Sequence, residues 1–406
     1  KRKKLVIYIN PPYAEATTAK TVTGTGENKS GVTTNFKINE YFKPKIGAAT
    51  NEIFALFMAN VYEKIPGCIL GQFSTLKFIN GSNFKNFKSF FLADYVSGFI
   101  VPAETFDNVK GKFPIGFTVW NTEIKTKISA IVTDVYDKHG NFYSDKNFYG
   151  ELPNSINKWI KLFDDKTIKG ITFMGNPSPD FQHNSQLYLS LLKGTEHFNF
   201  FNFTQNNLIE GSIYFSVRNC IVATWLNDRD QYLFPNDGWQ TDKEFQTDCL
   251  VFTIFNSQNK ITSKEGVNHW IPFTEQEVNA QAKFESSFMI DFMKGKIAIA
   301  SSSETLFNSG QTSAKPQQLV FSEEATAVFD AGRELWKYYH AQKDANVNAS
   351  LYDIREYFQG RNDKGRMNSK SEDIMYMKLI GELRSKLSIL ADKIKPKVYE
   401  YEFLKE

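Results

Sequence analysis

The sequence predicts an α/β body at the start of the chain, then a mixed α+β region, then a helical C-terminal region. Three observations carry this fold class. A short apolar, β-branched run, Leu5-Val6-Ile7-Tyr8-Ile9, halts at Asn10-Pro11-Pro12. Apolar runs of strand and helix period then alternate up to about residue 130. Past Ser322 the apolar spacing turns helical.

Each element follows from its local pattern. Leu5–Ile9 reads as a buried strand stopped by a proline turn. Residues 14–50 are rich in Thr, Gly and Lys without periodicity and read as a long mobile loop. Ile53, Phe54, Phe57, Met58 and Val61 have helical spacing that ends near Pro66-Gly67. Cys68 to Ile79 reads as a strand and loop, Phe84 to Leu92 as a helix, Val96 to Val101 and Phe117 to Trp120 as strands. Beyond them Ile128–Val135, Ile171–Met174, Ile213–Val217 and Leu250–Ile254 are strand-like, separated by polar stretches such as Asn176-Pro177-Ser178-Pro179-Asp180. Val328, Leu335, Trp336 and Tyr339 share one helical stripe. Ile380, Leu383, Leu387, Leu390 and Ile394 form another, too short for a coiled coil and expected to pack on its own domain. The expected domains are 1–130, 131–320 and 321–406.

Composition narrows the function. A chain of 406 residues with 37 Phe can bury a large aromatic core. Residues 1–130 carry 17 Lys and Arg against 9 Asp and Glu, while the remaining 276 residues carry 31 against 36. A basic N-terminal third suits a polyanion, because Lys and Arg displace counterions condensed on phosphates. Cys68, Cys220 and Cys249 are scattered, with no zinc spacing, and no HExxH is present, so no metal is expected. No apolar run reaches the roughly 18 residues of a membrane span, and the expectation is a cytoplasmic protein without a membrane partner. The opening Lys1-Arg2-Lys3-Lys4 lacks a Met and an apolar stretch, so it is not a signal peptide, and residues are expected to precede it.

The strongest chemical signal is Asn10-Pro11-Pro12-Tyr13 directly after a strand. An exocyclic amino group is a poor nucleophile because its lone pair is delocalised into the ring. The Asn10 side-chain oxygen and the Pro11 carbonyl can accept its two hydrogens and turn the lone pair toward a methyl donor. Paired prolines stiffen the turn, and Tyr13 offers a flat face to a base extruded from a duplex.

The run Ile7-Tyr8-Ile9-Asn10-Pro11-Pro12-Tyr13 resembles the catalytic motif of S-adenosylmethionine-dependent amino methyltransferases, especially the N6-adenine DNA enzymes of restriction–modification systems. Downstream, Gly67-Cys68-Ile69-Leu70-Gly71-Gln72-Phe73 resembles the next core strand of that fold. Phe99–Phe106 and Phe113–Trp120 resemble its closing β-hairpin. The resemblance implies a partial Rossmann-like methyltransferase sheet, the catalytic half, followed by a target-recognition domain. It implies base stacking by Tyr13 and by Phe113, with Phe106 an alternative alignment. Thr224–Gln231 and Ala331–Tyr339 resemble stretches that follow the core in large fused adenine methylases. Arg229 in the first is a candidate DNA contact, as are Lys77, Lys85, Lys88, Lys110 and Lys112.

One departure shapes the reading. The family binds S-adenosylmethionine through a Gly-rich turn and an acidic residue on strands before the catalytic motif, and only nine residues precede it here. Phe329-Asp330-Ala331-Gly332 lies in a helical pattern and cannot replace them. The donor site is therefore expected mostly outside this chain, in a missing N-terminal half supplied in cis or in trans, and the Leu5–Ile9 edge is expected to be bare. Gly24-Thr25-Gly26-Glu27-Asn28-Lys29-Ser30 fails the phosphate-loop spacing, and Glu123-Ile124-Lys125 with Asp107 is a chance imitation of a nuclease site. The expected activity is methyl transfer to adenine N6 in double-stranded DNA by base flipping. The alternatives are a non-catalytic DNA-recognition half, or an RNA or protein amino-group methyltransferase.

Overall fold

The computed structural model describes residues 5–11, 36–106, 111–193, 199–298 and 317–405. Strand β1 (Val6–Ile9) is followed by helices α1 (Lys37–Ile46) and α2 (Ile53–Lys64), then by β2 (Ile69–Thr75). Helices α3 (Lys77–Asn80) and α4 (Lys85–Phe90) lead to β3 (Asp94–Pro102) and β4 (Pro114–Asn121), and a hairpin follows, β5 (Ala130–Tyr136) and β6 (Phe142–Tyr149). These strands form one sheet in the order β1-β2-β4-β3-β5-β6. β1 and β2 are parallel, and β4 is antiparallel to both β2 and β3. Thus β1, β2 and β3 run one way, with β4 reversed between the last two. The helices cover one face, burying Phe42, Phe54, Phe78 and Phe87 against Leu70, Ile100 and Trp120.

The sheet does not stop at residue 130. β5 pairs in parallel with β3 and carries β6, so the first body runs through Tyr149. A second body holds α5 (Ile156–Ile160) and a three-stranded antiparallel sheet of β7 (Thr172–Asn176), β8 (Tyr188–Ser190) and β9 (Asn199–Phe203). It continues with α6 (Leu208–Asn219), α7 (Lys243–Phe255), α8 (Phe288–Met293), α9 (Glu323–His340), α10 (Leu351–Gln359) and α11 (Ile374–Glu400). One hydrophobic core draws residues from Ile156 to Leu404, so the C-terminal helices pack with the region before them. The architecture is mixed α/β with a helical C-terminal region, as the sequence pattern implied.

Local chemistry explains the helix boundaries. Ser322 caps α9 by accepting from the Ala325 amide at 3.1 Å, and Ser350 and Asp353 form a reciprocal capping box on α10. Val328, Leu335, Trp336 and Tyr339 are all buried, and a Cβ on Gly332 would lie 2.5 Å from the Phe255 ring, so α9 sits close against α7. The stripe on α11 buries Ile380, Leu383, Leu390 and Ile394. Phe329-Asp330-Ala331-Gly332 is helical.

Two sequence expectations are corrected. Ile213–Val217 and Leu250–Ile254 are not strands but the middles of α6 and α7. Both helices are buried nearly all round, so their apolar runs carry no 3.6-residue alternation to betray them. The stretch 14–50 is not all loop: Lys37–Ile46 is helical, with Phe42 and Ile46 buried four residues apart. The remainder of that stretch within 12–35, including Gly24–Ser30, lies outside the described residues, as does Asp107. Among the described residues no helix is long and apolar enough to cross a membrane.

Glu210, in the first turn of α6, is pushed up to about 7 by burial, against the opposing charge of Lys243. Its folded value lies above that of the unfolded chain, about 4.3. Between those values the native state binds more protons, so stability falls as pH rises through this window and stays lower above it. Glu210→Gln is expected to gain on the order of 2–3 kcal/mol at pH 8 and almost nothing at pH 4. Urea unfolding at the two pH values measures this, and equal gains at both would refute the assignment.

Candidate active site

Parallel strands bring their carboxyl ends to a common edge, where loops can surround a ligand. Here β1 ends at Asn10-Pro11, β2 ends just before Leu76-Lys77, β3 ends at Pro102, and β4 starts back from the same edge at Pro114. Asn10, Pro11, Lys77, Phe106, Lys112 and Phe113 therefore belong to one rim. Asn10 is exposed and Pro11 buried. Pro12, Tyr13 and Lys110 lie outside the described residues.

The turn is held by β1–β2 pairing, in which Ile9 stands opposite Gln72. The Leu5 carbonyl accepts from the Ile69 amide at 2.9 Å, which directs the amides of Ile7 and Ile9 inward and those of Val6 and Tyr8 outward. Among the described residues no strand lies on that outer side. Leu5, Val6 and Tyr8 are 53%, 68% and 64% exposed, values of a bare edge. One strand in from Asn10, β2 buries Gln72 and Ser74, whose side-chain polar atoms have no protein hydrogen-bond partner among the described residues. Buried polar atoms are almost always paired, so this strand keeps unused polar capacity beside the turn. Sequence reading missed it, because a Gln and a Ser inside an apolar run look incidental.

The sheet face away from the helices carries a row of touching aromatic rings. Tyr8 meets Phe73 and Phe117 at centroid distances of 6.3 and 5.8 Å, and Phe117 meets Phe99 at 5.7 Å. Phe106 packs on Phe73 at 5.6 Å, which puts it in the same aromatic row as Tyr8. Phe113 has different company: the Arg229 guanidinium lies 5.8 Å from its ring centroid. The two phenylalanines that the sequence left as alternatives thus occupy distinct surroundings.

Arg229 reaches Phe113 from the second body and is fixed from several sides. It pairs with Asp228 at 3.1 Å, donates to the Gln182 side chain at 2.7 Å, and its carbonyl accepts from Asn80 at 2.7 Å. Gln182 follows the loop Pro177-Ser178-Pro179-Asp180, which is held from beneath by the fully buried Arg218. That guanidinium donates to the Ser178 carbonyl at 2.8 Å, the Pro177 carbonyl at 3.3 Å and the Asn184 side chain at 3.0 Å. Burial raises the Asp228 carboxyl above the usual range, with Arg229 pulling the other way. A second link between the bodies is the Lys146–Asp230 pair at 2.9 Å.

The candidate lysines separate by environment. Lys85 and Lys112 are exposed. Lys77 makes an ion pair with Glu52 at 2.7 Å. Lys88 turns inward, donating to the carbonyls of Ile79 and Gly150, and burial holds its ammonium below the usual lysine range. Lys125 donates to the Thr122 carbonyl at 2.9 Å. No group of three or more His, Cys, Asp or Glu side chains arranged for a metal ion occurs among the described residues. The described residues place Asn10 and Pro11 directly after the carboxyl end of β1. They supply no wall on the outer side of β1, so a pocket for S-adenosylmethionine does not fit within them.

No family model matches the chain, and no curated protein matches it. Among solved structures it is similar to an ATP-dependent Type ISP restriction-modification enzyme, LlaBIII, bound to DNA. The identity is 12%, the match covers 44% of this chain and 15% of that one, and the TM-score is 0.26. The matched part is thus a small fraction of that much longer chain, and the function of this one is argued from its own site.

Replacing Arg229 by Gln would leave Asp228 without its cation and uncover the Phe113 ring. The expected loss is on the order of 2–3 kcal/mol at pH 7. The loss should be smaller at pH 4 than at pH 7, because burial raises the Asp228 carboxyl and a lower pH favours its neutral form, which needs no partner. Denaturant titrations at the two pH values measure this, and a loss independent of pH would contradict the pairing.

Proposed function

We propose that this chain is the catalytic-loop and target-recognition half of a site-specific DNA methyltransferase that acts on adenine N6 by base flipping. One observation carries the reading: the Asn10-Pro11 turn closes the carboxyl end of β1, which is parallel to β2, with β4 reversed between β2 and β3. The antiparallel β3–β4 pair is compatible with the closing hairpin that the resemblance implies.

In this reading the chain's own residues do three things. The Asn10 side-chain oxygen and the Pro11 carbonyl accept the two hydrogens of the adenine amino group and orient its lone pair. Tyr13 and Phe113 bracket the extruded ring, with Arg229 holding Phe113 in place from the recognition side. The second body, with exposed cations such as Lys112 on the rim facing it, reads the duplex. The methyl donor, S-adenosylmethionine, supplies an electrophilic methyl group and is bound by polypeptide beyond the outer edge of β1. The exposed Leu5, Val6 and Tyr8 and the aromatic row behind them support an interface there, since an apolar strand edge continuous with an apolar face is costly to leave in water.

The test combines this chain with the polypeptide encoded immediately upstream and measures transfer of labelled methyl from S-adenosylmethionine to adenine in duplex DNA. Transfer is expected with both pieces present. Asn10→Ala should reduce the rate by on the order of a hundredfold or more, the cost of losing one transition-state acceptor. Duplex affinity should change by less than about threefold, because Asn10 touches only the flipped base. Parallel loss of affinity and rate would assign Asn10 to binding. Silence with both pieces bound to each other would favour a recognition module without catalysis, and transfer to RNA or protein instead would change the substrate class.

A further inference from the structure

The C-terminal helices line an open pocket of about 290 Å³ that lies apart from the sheet edge and takes no part in the proposed methyl transfer. Its floor is apolar, formed by Phe252 of α7, Leu351 of α10, and Ile380, Leu383 and Leu387 of α11. Two arginines line it as well, Arg355 from α10 and Arg384 from α11. A guanidinium carries five donors. Among the described residues Arg355 donates from Nη1 to the Ser257 carbonyl at 3.1 Å, while its Nε is buried without a partner. Arg384 is exposed at the rim.

Among the described residues neither arginine forms an ion pair, and the charged side chains that act on Arg355 are Arg384 and Lys260, both cations. The acidic neighbours in sequence are already taken: Glu356 holds Lys264 and Arg361, Asp353 holds the Thr262 and Ser263 hydroxyls, and Glu382 holds Lys386. Like charges brought together around a partly buried donor raise the energy of the empty pocket and are relieved by an anion. The pocket is about the size at which small-molecule sites begin.

We propose that this pocket binds a small anionic amphiphile: a phosphate or carboxylate head held by Arg355 and Arg384, with a short hydrocarbon or aromatic body against Phe252, Leu383 and Leu387. The donors set the sign and planarity of the head, and the apolar floor sets the body. A nucleic-acid backbone would satisfy the arginines but leave the floor unused, which is why a small molecule is favoured.

The probe is octyl phosphate, titrated calorimetrically into the full chain alongside octan-1-ol and inorganic phosphate. Octyl phosphate is expected to bind at one site per chain, at least about tenfold tighter than either fragment. Arg384→Gln, at an exposed position, and Arg355→Gln should each weaken it at least about tenfold, with unchanged circular dichroism. Octan-1-ol binding as tightly would reduce the pocket to an apolar surface. Inorganic phosphate binding as tightly would remove the role of the floor. Unchanged affinity in both variants would place the site elsewhere. No response to any probe, together with arginine-dependent binding of a DNA duplex, would reassign the pair to nucleic acid. Each of these four results overturns the proposal.

Discussion

The pairing of Val6–Ile9 with Ile69–Gln72 is the contact on which the rest of the structure depends. Parallel strands offer no short hairpin route, so the chain passes through α1 and α2 before β2 can form. Those helices bring the apolar layer that buries one face of the sheet. Once β2 is seated, β4 and β3 fill in beside it, and the carboxyl ends of three parallel strands gather at one rim. The Asn10-Pro11 turn owes its place to this order. Its position comes from four backbone registrations. On the other side of β1 the described residues leave outward-facing amides, exposed apolar side chains and an aromatic row that no described helix covers.

The two bodies meet through Trp225 and Leu226, which pack on the first core, and through polar contacts braced by one buried charge. Arg218 is fully buried, yet its hydrogen-bond partners are neutral carbonyls, an amide and a phenol. Such a group is tolerated when its donors are satisfied, and its loss would release the loop it supports. Through Gln182 that loop braces Arg229, and Arg229 lies over Phe113 on the rim of the first body. A change in the second body can therefore reach an aromatic side chain at the candidate site through a short series of contacts. The Asn80–Arg229 and Lys146–Asp230 contacts tie the same junction.

What was legible in the sequence was what local chemistry decides. Leu5–Ile9 announced itself because a β-branched run met Asn-Pro-Pro, and α9 because Ser322 capped a regular apolar stripe. The closing hairpin was legible from alternation and from family likeness. The second body hid its helices: α6 and α7 are packed on nearly every side, so their composition could not distinguish helix from strand. α1 hid for the opposite reason, presenting Lys, Asn and Glu around two buried apolar residues. Lys88 looked like a surface cation, but the Gly150 carbonyl that turns it inward lies 62 residues away. The same holds for Arg229 over Phe113 and for the juxtaposition of Arg355 with Arg384, which only tertiary packing creates. Asn10 and Pro11 were found as a motif, whereas the polar lining of Gln72 and Ser74 beside them had no sequence signature.

The proposed function requires β1 to be an interior strand of a larger sheet whose remaining strands carry the donor site. Amide hydrogen exchange at Val6 and Tyr8, in this chain alone and with the upstream polypeptide bound, tests that most directly. Alone, these outward amides should exchange at near-unprotected rates while Ile7 and Ile9 are slow. In the complex Val6 and Tyr8 should slow by more than about a hundredfold, because a new strand would take up their hydrogens. Tight association that leaves both amides exchanging as before would contradict the account, since the partner would then have docked elsewhere and the sheet would end at β1.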